Sequence, residues 1–273
     1  MSKVSMRKFL YPLLLVLVTI GLLYVEKYVD HKQNEPNLIE GEKPKFDTKT
    51  ELLPTSTTGS IIHHNYYSLS YAEDHEQAEW VAYELNKEQL VNNDFKRPYF
   101  EIDLAVPTGA AHWRNYKKSG YDRGHLCPAA DREFSREAYE ETFLTSNISP
   151  QLNAFNAGIW NRLEQKVRYW AKSYDGVYVI TGGVLENDLE QIGTEGVSVP
   201  REFYKILYDV RNGEHTAIAF LFPHQASNEG LYTFVTSIDH IERRTGIDFF
   251  STLPDTIENE LEKSSDLKKW SLK

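Results

Sequence analysis

The stretch Tyr121-Asp122-Arg123-Gly124-His125-Leu126-Cys127-Pro128 holds an imidazole between a glycine and a proline, with an aspartate and an arginine just ahead of it. Gly124 permits backbone angles that other residues avoid, and Pro128 stops a helix from propagating through the segment. About thirty residues later, Asn156-Ala157-Gly158-Ile159-Trp160-Asn161-Arg162-Leu163-Glu164 opens on an asparagine where a helix should begin, with Arg168 one turn beyond Glu164. Hydrolysing a phosphodiester requires an activated water, a stabiliser for charge on the phosphate and help for the departing oxygen. An imidazole with a pKa near 6.5 suits the first task at neutral pH. An asparagine carbonyl is a neutral oxygen ligand of the kind that suits Mg²⁺, which keeps most of its own waters. One imidazole and one neutral oxygen form a kit for phosphodiester cleavage with a hard metal ion.

Each of these residues also has a plainer reading. His125 is one of nine histidines and could simply sit in a loop. Asparagine at a helix start commonly caps the first turn by accepting from its backbone N–H groups. Glu164 and Arg168 stand four residues apart, the spacing of a surface ion pair worth a few tenths of a kcal/mol. Spacing alone leaves both readings open at each position.

The elements that must position these residues read as α+β. Segments 66–71, 80–85 and 99–103 are aromatic and partly alternating, as strands are. A loop over 107–120 delivers Arg123 and His125, and 136–142 is a short polar helix. Over 157–173, Ile159, Leu163, Val167 and Trp170 recur every three or four residues, which predicts the strongest helix of the chain. Segment 177–183 is a buried strand ending in glycines. Segments 203–210 and 216–222 form a hairpin signalled by Asn212-Gly213. A helix over 237–245 is closed by Gly246. The charged tail after residue 255 is expected at the surface. No internal repeat is evident, and 61–255 reads as one domain.

The 273 residues include a single cysteine, Cys127, which excludes an intrachain disulfide and a cysteine-based zinc cage. A net charge of -10 disfavours contact with nucleic acid over the whole surface. The segment 105–172, which carries both motifs, is nonetheless locally basic, with 10 Lys/Arg against 7 Asp/Glu, whereas 173–273 has 9 against 17. At the N-terminus, Lys3, Arg7 and Lys8 precede an uncharged apolar run over 9–25, at the short end of what spans a bilayer. The exit from that run lacks the small residues of a signal-peptidase site. The expectation is an anchor over residues 1–26, a flexible polar linker over 27–60, a catalytic body over 61–255 and a tail over 256–273. The body would then lie outside the cytoplasm, tethered to the membrane through 9–25, or secreted if that segment is cleaved.

The combination of Asp122-Arg123-Gly124-His125, Ser146-Asn147-Ile148-Ser149-Pro150-Gln151, and Asn156 with Trp160, Leu163 and Glu164 resembles the signature of the DNA/RNA non-specific endonucleases, which include secreted bacterial nucleases and mitochondrial endonuclease G. The likeness extends through much of 64–253. It implies a ββα-metal (His-Me) finger on a mixed or antiparallel sheet flanked by helices. It implies that the histidine matching His125 is the general base, and that the asparagine matching Asn156 holds a single hydrated Mg²⁺ (Mn²⁺ or another divalent cation being the variants). The arginine matching Arg123 contacts phosphate, Glu164 orients water in the metal's shell, and Arg168 stabilises the transition state. Asp122 and Asn147 support the site. DNA and RNA would be cut without base selection, leaving 5′-phosphates, because backbone contacts carry no sequence information. Cys127 departs from the small apolar residue usual at its position, and a buried thiol substitutes conservatively there. Two other readings compete: a non-catalytic nucleic-acid-binding or uptake protein on the same fold, and a phosphodiesterase for a small or lipid substrate. Homodimerisation is left open by the sequence.

Overall fold

Strands whose successive side chains alternate between two faces can separate two cores, and the long central strands of this protein do so. The computed structural model describes residues 52–265 and 267–271, together with Thr19. The strands are β1 (Ile61–His63), β2 (Ser68–Ala72), β3 (Gln77–Leu85), β4 (Asp122–His125), β5 (Ile148–Gln151), β6 (Val177–Gly183), β7 (Gln191–Ile192), β8 (Val197–Ser198), β9 (Glu202–Arg211), β10 (Glu214–Pro223) and β11 (Val235–Thr236). The α-helices are α1 (Arg136–Glu141), α2 (Asn161–Tyr174), α3 (Ile238–Thr245) and α4 (Asp255–Lys263). Seven strands form one sheet in the order β1-β2-β3-β6-β9-β10-β11, and every pairing in it is antiparallel.

On one face, Val81, Tyr83, Val179, Phe203, Leu207 and Phe220 pack with Leu163, Val167 and Trp170 of α2. On the other, Trp80, Ala82, Tyr178, Ile180, Tyr204 and Ile206 pack with Ile238 and Ile241 of α3, Leu261 of α4 and the loop residues Phe249 and Phe250. The apolar stripe expected for α2 is the stripe that is buried. At roughly 1.5–3 kcal/mol for each large side chain removed from water, this two-sided burial is the main force holding the sheet between its helices.

Several local signals are realised as the sequence predicts. In the β9–β10 hairpin, Asn212 and Gly213 both take positive φ (53° and 79°), the left-handed pair that a two-residue turn matched to sheet twist requires. Ser237 caps α3 by accepting from the His240 N–H, and Gly246 follows the helix with φ 73°.

Other expectations are corrected. Segment 99–103 is not a strand: it makes one isolated bridge, Glu101 to Leu144, and leaves Tyr99 92% exposed. The stretch just before α2 is a π-helical turn, Phe155–Trp160, joined through Gly158, whose φ/ψ of -95°/-112° is not helical. The C-terminal tail is not all surface. Trp270 is 1% exposed and meets Trp170 edge-on with ring centroids 5.2 Å apart. At the other end, Leu52 is buried in the core, and the Thr57 N–H donates to buried Glu79. The apolar run 9–25 and most of the expected linker lie outside the described residues. Among the described residues, no helix is long and apolar enough to cross a membrane.

Candidate active site

Apart from the large sheet, β4 pairs antiparallel with β5, placing Arg123 opposite Pro150 and His125 opposite Ile148. The chain then passes within a few residues into the π-turn and α2. This short unit carries Asp122, Arg123, His125, Asn156, Glu164 and Arg168.

Gly124 is essential here for a reason other than backbone freedom, since its φ is not positive. A Cβ on Gly124 would overlap the side chain of Gln151, its diagonal neighbour across the pair. Gln151 keeps its side-chain position because that site is empty of side chain. Asn147, fully buried, then fixes the turn that follows His125. Its Oδ1 accepts from the Cys127 N–H at 2.8 Å, and its Nδ2 donates to the carbonyls of Cys127 (3.0 Å) and Thr142 (2.9 Å). All three bonds are satisfied inside the protein, which makes Asn147 a brace for the loop.

Arg123 and His125 lie on the same side of β4, and both meet Phe100. The His125 ring is 5.4 Å from Phe100 and 5.0 Å from Phe143, and the Arg123 guanidinium sits 5.4 Å from both Phe100 and Trp113. Arg123 Nε also donates to the Trp113 carbonyl at 3.4 Å. His125 is half-buried, yet its Nε2 is shielded from solvent and has no hydrogen-bond partner among the described residues. Burial, reinforced by the nearby Arg97 cation, depresses the imidazole pKa from 6.5 to about 3. At neutral pH the ring is therefore an uncharged base.

Asn156 does not cap the helix. The turn starts at Ala154 without a side-chain cap, and Asn156 Nδ2 instead donates to Asp122 Oδ2 at 3.1 Å. Asn153 Nδ2 donates to the same oxygen at 2.9 Å. Because a carboxylate only accepts, the bond fixes the amide orientation and turns Oδ1 away from Asp122. A held neutral carbonyl oxygen fits a hydrated Mg²⁺, which needs few protein ligands. The three-carboxylate clusters that could hold a metal among the described residues lie elsewhere, between α3 and α4.

Glu164 and Arg168 are not the surface ion pair that their spacing allows. Arg168 Nη1 reaches Asp131 Oδ1 at 2.8 Å, and Asp131 is fully buried and also accepts from the Tyr83 hydroxyl at 3.0 Å. Burial raises the Glu164 carboxyl from 4.5 to about 7, against the pull of Lys205. Lys205 extends from β9 toward the same face, fully buried, with Nζ 4.8 Å from the Trp160 ring and without a hydrogen-bond partner among the described residues. Burial also pushes the Cys127 thiol up to about 12, which removes the thiolate on which a redox role would depend.

The structure thus ties Asn156 to Asp122, and Arg123 to His125 through Phe100. Glu164 and Arg168 lie one and two turns into α2, the latter secured by Asp131. Sequence reasoning missed Arg97, Phe100, Asp131, Phe143 and Lys205. Asp131 and Phe143 each lie three residues from a motif; the others arrive from distant segments.

Comparison with known proteins sharpens the assignment. The family described as DNA/RNA non-specific endonuclease matches residues 46–256. The chain belongs to that family. It is 34% identical over 218 residues to the zebrafish (Danio rerio) protein named "Nuclease EXOG, mitochondrial", covering 74% of this chain and 63% of the relative, so it spans less than two thirds of that relative's length. Against the human (Homo sapiens) "Endonuclease G, mitochondrial" it is 33% identical over 198 residues, covering 67% of each. The solved EndoG chain in "Crystal structure of the EndoG/EndoGI complex: Mechanism of EndoG inhibition" superposes with a TM-score of 0.66 at 32% identity, covering 71% of this chain and 86% of that one. The endonuclease family is one of nucleic-acid-hydrolysing enzymes. The family match spans both site motifs and all eleven strands. One expectation falls. The extracytoplasmic, membrane-anchored placement inferred from 9–25 is corrected, because these relatives are named mitochondrial.

Proposed function

We propose that this chain is a Mg²⁺-dependent endonuclease that hydrolyses DNA and RNA without sequence selection and leaves 5′-phosphate ends. On this reading β4, β5 and the following helix form a ββα-metal finger. Its chief support is the Asp122–Asn156 bond of 3.1 Å, which locks a neutral oxygen donor to the strand that presents a buried, uncharged imidazole.

His125 takes the proton from the attacking water, since its imidazole is neutral at pH 7. Arg123, steadied by Trp113 and Phe100, binds the phosphate and fixes its distance from His125. Asn156 Oδ1 is the ligand for Mg²⁺, which when bound would polarise the phosphate and offset charge on the departing 3′ oxygen. Glu164 orients the water as an acceptor when ionised. Arg168, pinned by Asp131, contributes positive charge as the transition state forms. Asn147 and Asp122 keep the two halves in register.

The deciding assay is degradation of plasmid DNA and of RNA by the full chain with Mg²⁺, before and after EDTA, and by Asn156→Ala. The expected result is cleavage of both substrates, lost with EDTA and sharply reduced in the variant. A folded protein that binds DNA but cleaves nothing in Mg²⁺ would establish the non-catalytic binding reading instead.

A further inference from the structure

His224 stands one residue past β10, far in sequence from either site motif, yet both nitrogens of its ring are engaged. Nδ1 lies 2.8 Å from the carbonyl oxygen of Pro200, and Nε2 lies 2.7 Å from the backbone nitrogen of Leu152. A carbonyl oxygen only accepts and a backbone N–H only donates. The ring must therefore carry its proton on Nδ1 and leave Nε2 bare as an acceptor, which fixes a single neutral tautomer. Burial lowers the pKa of the ring and favours that uncharged form. The His224 backbone N–H donates to the Arg201 carbonyl at 2.8 Å, and the imidazole meets Phe155 and Phe203 edge-on with centroids 5.2 and 5.0 Å away. Around it, the Tyr121 ring lies 6.0 Å away with its hydroxyl donating to Glu190, and the Arg201 guanidinium turns to Glu186 and Asp188.

Leu152 links β5 to the π-turn. Its carbonyl accepts from the N–H groups of Phe155 (3.0 Å) and Asn156 (2.9 Å). Two hydrogen bonds in series thus run from the His224 ring to the Asn156 backbone. Packing does not secure Leu152, whose residue is 37% exposed. Nor does α2 fix where the turn begins, because Gly158 breaks the helical geometry between them.

We propose that His224 is a positioning residue of the nuclease centre: it ties the start of the π-turn to the Pro200 loop and so sets where Asn156 presents Oδ1. The inference rests on Asn156 being the metal ligand of the function proposed above. Asp122 orients the Asn156 amide, and His224 holds the backbone from which that amide projects. The two act on opposite ends of one residue.

The test compares the full-length wild type with His224→Phe, which keeps the ring packing and loses both bonds, and with His224→Gln, whose longer amide can reach Leu152. Amide hydrogen exchange over 152–156 is measured without metal or substrate, beside the Mg²⁺ dependence of plasmid cleavage. In His224→Phe the Leu152 and Asn156 amides should exchange faster while protection in the large sheet is kept. Its apparent Mg²⁺ affinity should fall by about 10-fold or more, the usual effect of losing support behind a metal ligand. His224→Gln should restore both in part. Should His224→Phe fail to fold, His224→Asn serves in its place, since its amide can donate to Pro200 but is too short to reach Leu152. The proposal is overturned if these amides keep wild-type exchange, or if they quicken while the Mg²⁺ dependence stays that of wild type. It is equally overturned if protection is lost across the whole sheet and His224→Gln does not restore it, the behaviour of a residue that serves stability alone. A wild type that cleaves nothing would sink the nuclease reading and the positioning role with it, whereas the exchange data would still show whether His224 holds the turn.

Discussion

Asn156 Nδ2 donates to Asp122 Oδ2 at 3.1 Å, joining the first residue of β4 to the π-turn that leads into α2. The sequence places these two residues thirty-four positions apart, and this bond makes them one unit. Asp122→Ala leaves the Asn156 amide without its acceptor and free to rotate. The apparent Mg²⁺ affinity in the cleavage assay should fall by about 10-fold or more, the usual effect of losing a group that orients a metal ligand. Activity should recover in part at high Mg²⁺, which a Mg²⁺ titration of the variant checks.

Glu164 is expected to set the acid limb of activity. An acid whose folded pKa is raised from 4.5 to about 7 holds its proton longer in the folded state. Its contribution to stability is therefore present at low pH and lost as pH rises through about 7. The role proposed for Glu164 requires the ionised form, so kcat/KM should rise with pH through about 7. Glu164→Gln should lower activity, flatten that limb and raise Tm above pH 7 relative to wild type. A pH series of rates and melting curves on the two proteins tests both parts.

His125 has the opposite linkage. Its folded pKa lies near 3, against an ordinary value of 6.5, so the unfolded chain binds the extra proton in that window. Stability from the neutral buried ring is present above 6.5 and declines as pH falls toward 3. His125→Phe, which cannot titrate, should show a shallower loss of Tm between pH 6 and 4. Melting curves over that range are the measurement.

Arg168→Ala removes the partner of an aspartate that is 1% exposed. Leaving a buried charge uncompensated costs about 3 kcal/mol or more, read by denaturant unfolding. Gly124→Ala should cost about 1–3 kcal/mol through overlap with the Gln151 side chain, and the damage should fall on the β4–β5 pair. Hydrogen exchange resolves where the protection is lost.

What the sequence revealed depended on whether the signal was local. Asn212-Gly213, the Ser237 cap and the α2 stripe act over a few residues, and each appeared where its physics demanded. The site motifs were legible for the same reason, because β4 and the π-turn are short continuous pieces. What stayed hidden was non-local. Phe100 looks like part of a strand, yet its segment makes one bridge and its ring packs on His125 and Arg123. Lys205 sits in an alternating strand and would pass for solvent-facing, although the register of β9 turns it inward toward Trp160. Gly124 appeared to serve backbone freedom, but its role is room for a residue on β5. Trp270 lies in a charged tail whose composition conceals a buried anchor.

His125, as the proposed base, should be needed for turnover but not for the fold or the binding surface. These are separated by the steady-state rate of plasmid cleavage by His125→Ala in Mg²⁺, measured alongside its DNA affinity. The rate should fall by about 10²-fold or more with affinity nearly unchanged, the scale of a lost general base. Cleavage at the wild-type rate by the folded variant would contradict the assignment.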